Sequence, residues 1–127
     1  MNYAYRFFVG MWLTLLAASS FALETVPYTP EALAAAQKAG QPVAVQFHAN
    51  WCPSCRAQDR VFESFKADDA LPITVLVVNY DQDLDARKAL RVASQSTLLV
   101  FHGSKLTSRT VFETNPAKLR TALQSAL

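Results

Sequence analysis

Cysteine is scarce in this 127-residue sequence: there are two, Cys52 and Cys55, in a single C-x-x-C. That excludes a framework of several disulfides, and a chain of this length can bury a core without one. The pair also makes a poor structural staple, because on the chain-entropy argument the benefit grows with the loop that is closed. A four-residue loop is worth roughly 2 kcal/mol, against about 4.7 kcal/mol for a 100-residue loop. Charge of one sign is lacking as well. Twelve Lys and Arg stand against ten Asp and Glu, a formal net charge of +2, which is too balanced to argue for a nucleic-acid or anionic-surface partner. After residue 26 there is no internal repeat, low-complexity tract or long linker, so one domain is expected. A comfortable membrane-spanning run is also missing. The uncharged stretch Phe7–Ala18 would make about 18 Å of helix, against roughly 30 Å of hydrocarbon.

That short apolar stretch has another reading. Met1–Tyr5 carries no acidic group, Arg6 adds a positive charge beside the amino terminus, and Ser20 and Ala22 place small residues at −3 and −1 of a cut after Ala22. Together these are the three regions of a secretory signal peptide. The expectation is a cleaved leader, residues 1–22, followed by one domain, residues 23–127, in the periplasm or an equivalent extracytoplasmic space. Extension of the run through Leu23 gives about 17 residues, so an uncleaved membrane anchor is the alternative. Outside the cytosol a disulfide can form and persist. A lone cysteine pair at the shortest useful spacing then reads as a redox device.

The rest of the chain alternates between helical and strand patterns. Thr29 caps a helix with Pro30 at its first position, EALAAAQKA follows, and Gly40 stands where the chain must leave the helix. Val43–His48 is a short apolar run of the kind buried on both sheet faces. A segment from the C-x-x-C to about Ala67 repeats Val61, Phe62 and Phe65 at helical spacing. Ile73–Asn79 reads as a central strand. Asp83–Arg91 is a short helix with Leu84 and Leu90 inward. Thr97–His102 and Leu106–Phe112 flank a Gly103–Ser104 hairpin turn. Asn115 and Pro116 open a last helix. The order predicts an α/β fold with a central mixed β-sheet flanked by helices.

Cysteines three apart on a helix have Cα atoms about 5–6 Å apart, inside the disulfide window. If Cys52 stands where strand turns into helix, its sulfur faces unpaired N–H groups. These favour thiolate and lower the thiol pKa from about 8.5 toward 7 or below. Pro53 suits the first helical position, and Ser54 can lend a donor to the thiolate. Cys55, one turn further in, is expected to be the more buried and the less acidic. Cys52 is then the nucleophile and Cys55 the resolving thiol.

VAVQFHANWCPSC, VLVVNYD and STLLVFHGSK together resemble the thioredoxin superfamily, from about Thr29 to the C-terminus. A Trp before the C-x-x-C, after an apolar strand, is far more specific than a bare C-x-x-C. The resemblance implies a thioredoxin-like fold, active cysteines at a helix N-terminus, and Trp51 shaping the substrate groove. It also exposes departures. The family's buried Asp, six residues before the first Cys, is Gln46 here, and its accompanying Lys aligns with Val77. The family's cis-proline, which faces the cysteines just before a Thr–apolar–apolar strand, is Ser96, followed by Thr97. A cis bond before a non-proline costs about 3–4 kcal/mol, so Gln95–Ser96 is expected to be trans and its loop reshaped.

These readings converge on thiol–disulfide exchange with protein disulfides or dithiols, needing no organic cofactor and no metal. Reduction or isomerisation is the expected direction, with a membrane partner supplying electrons, no nucleic acid, and a monomeric chain. The alternative is a soft-metal protein holding copper(I) on Cys52 and Cys55, with His48 nearby. His48 alone is otherwise a strand-end side chain that could tune Cys52, and His102, before the hairpin turn, is expected to be solvated. Asp81, Asp83 and Asp85 lack the Gly and Glu of a calcium loop and read as a solvated helix start.

Overall fold

The structure, a computed structural model, describes residues 22–127. The leader assigned to residues 1–22 therefore lies almost wholly outside the described residues. Five strands form one mixed sheet: β1 (Glu24–Pro27), β2 (Pro42–His48), β3 (Thr74–Asn79), β4 (Thr97–His102) and β5 (Lys105–Val111), in the order β1-β3-β2-β4-β5. β1 and β2 both run parallel to β3, whereas β2 with β4 and β4 with β5 are antiparallel. The helices are α1 (Pro30–Lys38), α2 (Pro53–Phe65), α3 (Leu84–Ala89) and α4 (Pro116–Gln124). Among the described residues no helix is long and apolar enough to cross a membrane.

Side-chain alternation explains why the inner strands are apolar throughout. On one face Ala44 of β2, Val75 of β3, and Leu98 and Val100 of β4 meet Val61, Phe62 and Phe65 of α2 and Leu119, Ala122 and Leu123 of α4. On the other, Val43, Val45, Phe47, Leu76, Val78, Leu99 and Phe101 meet Leu33 and the α3 region. Strands covered on both faces have no polar side to show. β2 is the middle strand, and Ile73–Asn79, expected as a central strand, supplies its inner neighbour β3.

The helix boundaries follow local chemistry. Thr29 Oγ1 accepts the Ala32 N–H, Asn115 Oδ1 accepts that of Lys118, and Asp83 Oδ1 that of Ala86, each closing a helix N-terminus. Gly40 at φ +67° follows the Ala39 cap, and Gly103 at φ +57° opens the hairpin turn; at both places a β-carbon would be strained. One strand was not anticipated, and one local expectation is corrected. β1 carries no alternating pattern, being four residues held by backbone pairing to β3. Leu84 is 53% exposed rather than inward, because capping by Asp83 turns Ala86 to the core instead.

Candidate redox site

β2 delivers the chain to the sulfur pair and α2 receives it. Cys52 is itself the N-cap of α2, in extended conformation (φ −87°, ψ 111°), with Pro53 at the first helical position. Its Sγ accepts the Cys55 N–H at 3.1 Å, one of the donors that a helix start leaves unpaired. The two cysteines are joined as a disulfide with Cα atoms 5.2 Å apart, and the Phe47 carbonyl lies 3.8 Å from Cys55 Sγ.

The expected contrast in burial is absent: Cys52 and Cys55 are both 0% exposed. Ala49 and Tyr80 pack against the pair, and the loop before β4 closes over it. In that loop Ser96 is fully buried. Its Oγ lies 3.2 Å from Cys52 Sγ, 3.1 Å from Cys55 Sγ and 2.6 Å from Ser54 Oγ, which is itself 3.3 Å from Cys52 Sγ. No described peptide bond is cis, so Gln95–Ser96 is trans. Ser96 instead takes φ +60°, a left-handed conformation in which a non-glycine residue is strained. Three hydrogen bonds to its backbone hold it there: Ser96 N–H to Phe47 O at 2.8 Å, and its carbonyl accepting from Phe112 N–H and the Gln58 side-chain Nε2. Thr97 is buried beside it and donates to Ser94 O at 2.7 Å.

Behind the sulfurs runs a chain of polar side chains. Gln46 Nε2 donates to Gln58 Oε1 and Asp59 Oδ1, both at 3.1 Å. Gln58 Nε2 donates onward to the Ser96 and Glu113 carbonyls. His48 Nε2 lies 2.8 Å from Asp59 Oδ2. His48 is thus a strand-end side chain hydrogen-bonded locally: its imidazole is engaged by a carboxylate on α2 and bonds to neither sulfur. Trp51 is 56% exposed at the rim, with Nε1–H donating to Asp81 Oδ2 at 2.8 Å. His102 is exposed, its Nδ1 2.8 Å from Ala126 O.

Sequence reasoning missed Gln58, Asp59 and Tyr80. One signal was available for Gln58, which falls on the helical stripe Cys55–Gln58–Phe62–Phe65 and so must be buried with α2's apolar face. A buried amide needs partners, and here they come from two other elements. Among the described residues no group of three or more His, Cys, Asp or Glu side chains converges as metal ligands would.

Chemically, this is a dithiol–disulfide couple whose first sulfur faces helix amide donors and whose only side-chain hydrogen-bond partners among the described residues are two hydroxyls. Known proteins share its setting. The family model described as Thioredoxin matches residues 25–125. A thioredoxin of Alicyclobacillus acidocaldarius subsp. acidocaldarius is 34% identical over 65 residues, covering 51% of this chain and 62% of that relative; the match thus spans less than two thirds of the relative's length. The crystal structure of Trxlp from Edwardsiella tarda EIB202 superposes with a TM-score of 0.74 at 35% identity, covering 79% of this chain and 98% of that one. The X-ray structure of Fasciola hepatica thioredoxin does so with a TM-score of 0.64 at 26% identity, covering 76% and 90%. With the sulfur pair capping α2, the five-stranded sheet behind it and the family match across nearly all of the described domain, the chain belongs to the thioredoxin family.

Proposed function

We propose that this protein exchanges disulfides with protein dithiols and disulfides, Cys52 attacking and Cys55 resolving. The observation that carries this reading is Cys52 Sγ at the α2 N-cap, accepting the Cys55 N–H at 3.1 Å. That donor and the helix end favour the thiolate over the thiol. In the reduced protein, Cys52 thiolate attacks one sulfur of a substrate disulfide and displaces the other as a thiolate. Cys55, once deprotonated, attacks Cys52 Sγ, closes the internal disulfide and releases the substrate's second sulfur with its electron pair. The substrate is reduced by two electrons and the cysteine pair is oxidised by two; run backwards, the same steps oxidise a dithiol.

The compartment, direction and partner are parts of the same proposal. The leader pattern of residues 1–22 supports an extracytoplasmic location, where a reductant or isomerase has clients that dissolved oxidants do not serve. A chain reducing disulfides there needs an electron donor across the membrane, and the exposed Trp51 beside the pair supports docking of such protein partners. The chain is proposed to work as a monomer.

Trapping tests the roles: Cys55→Ser should accumulate mixed disulfides through Cys52, and Cys52→Ser should not. Equal trapping by both variants would refute the assignment. Equilibration with glutathione tests direction, since a potential near about −270 mV marks a reductant and one near about −120 mV an oxidant.

A further inference from the structure

The exchange reading leaves one chemical requirement unmet by the residues expected to meet it. Cys55 must lose its proton before it can attack, and it does so while buried at 0% exposure. Gln46 cannot accept that proton at neutral pH, and its amide nitrogen is committed to Gln58 and Asp59. Among the described residues no titratable side chain hydrogen-bonds either sulfur; the partners there are the Ser54 and Ser96 hydroxyls, the Cys55 N–H and the Phe47 carbonyl.

We infer that the Ser96 and Ser54 hydroxyls form the proton carrier of this redox pair, a line running from Cys55 Sγ through Ser96 Oγ and Ser54 Oγ to the surface. The inference rests on the exchange reading above. The spacings along it are 3.1 Å and 2.6 Å, both within hydrogen-bond reach. Ser54 is only half-buried and supplies the solvent end. A hydroxyl has one proton to give and two lone pairs to accept with, so in the reduced pair Ser96 Oγ can accept from the Cys55 S–H while it donates to Ser54 Oγ. The fixed, left-handed backbone of Ser96 explains how a serine is held midway between two sulfurs. Strain of that kind persists where surrounding bonds over-determine it, and here the Phe47, Phe112 and Gln58 bonds do so.

Written as a step, the Cys55 S–H proton passes to Ser96 Oγ as the Ser96 proton passes to Ser54 Oγ and the Ser54 proton to water. Both hydroxyls end neutral. The electron pair left on Cys55 forms the bond to Cys52 Sγ, and the Cys52–substrate S–S bond breaks with its pair leaving on the substrate sulfur. While Cys52 is a thiolate, the same hydroxyls donate to it, a charge-assisted bond stronger than one to a neutral disulfide.

Stopped-flow reaction of the reduced protein with 5,5′-dithiobis(2-nitrobenzoate) separates the steps. Thionitrobenzoate is released first by Cys52 and then, in a second phase, by Cys55 attacking the mixed disulfide. Ser96→Ala and Ser96→Gly should each slow the second phase about tenfold to 100-fold, the range a lost proton acceptor commands when water partly replaces it. The slowed phase should also gain a steeper pH dependence, about tenfold per pH unit, because Cys55 must ionise before it attacks. Ser54→Ala should show the same change, smaller. Glycine relieves the strain that alanine keeps, so equal effects in the two Ser96 variants assign the defect to the hydroxyl, and the glycine variant and Ser54→Ala still report if the alanine variant folds poorly. An unchanged second phase, or one slowed without a change in pH profile, would overturn the relay. A wild-type protein that releases one equivalent and shows no second phase would instead sink the exchange reading itself.

Discussion

Ser96 shows what one residue can do to a site. The family's proline would have φ near −65° and no N–H, whereas Ser96 sits at φ +60° and donates to Phe47 O at 2.8 Å. Ser96→Pro, although it installs the residue that the family resemblance implies, should therefore destabilise the protein by more than about 1 kcal/mol. The check is a lowered urea midpoint with an unchanged slope, and an unmoved midpoint would show that the loop accommodates proline freely. The serine could be read from the sequence as a departure, because a missing proline is a local fact. Its position as a hub could not, since its partners lie 41 to 44 residues away. Gln46 was likewise visible as a departure from the family's Asp, but its bonds to Gln58 and Asp59 needed α2 laid against β2.

At the scale of elements, the start of α2 was legible because its chemistry is contained in four consecutive residues, with Pro53 admitted only where no N–H is needed. The covering of the disulfide was not. It depends on the loop from Leu90 to Thr97, which is clipped down by Arg109 of β5 donating to the Leu90 and Arg91 carbonyls at 3.1 and 3.2 Å, and by Tyr80 donating to Ala93 O at 3.0 Å. A fully buried disulfide is reached only when something over it opens. The rate of its reduction by dithiothreitol should therefore level off as the reductant is increased. Arg109→Ala, which removes two bonds worth together about 1 kcal/mol at an exposed site, should raise that plateau about fivefold. A rate strictly proportional to reductant concentration, equal in the two proteins, would show that the sulfurs are reached without opening. β1 escaped the sequence reading for a related reason: its place comes from pairing with β3, not from its own pattern.

Across the whole molecule, the end of α2 is tied to α4 by Asp68, whose carboxylate accepts from Arg120, the same guanidinium lying 4.7 Å over the Phe65 ring. The Arg120 hydrogen bond, helped by the Ala70 N–H, holds the Asp68 carboxyl below its ordinary 3.8. A lowered carboxyl pKa contributes stability that is present above the unfolded value and lost as pH falls through the folded one. Urea midpoints of the wild type should thus decline below about pH 4 more steeply than those of Asp68→Asn, by a modest amount because the group is exposed. Parallel decline in the two proteins would remove this ion pair from the acid response. Seen at this scale, the sequence alone determined the α/β class, the helix caps, the doubly buried strands and the placement of a redox cysteine pair, because each depends on neighbours within a few residues or on one repeating period. Tertiary structure alone decided that both sulfurs are sealed, that His48 turns to Asp59, and that two serines from distant segments meet over the disulfide. Those outcomes depend on which chain segments the sheet brings side by side, and no local propensity carries that information.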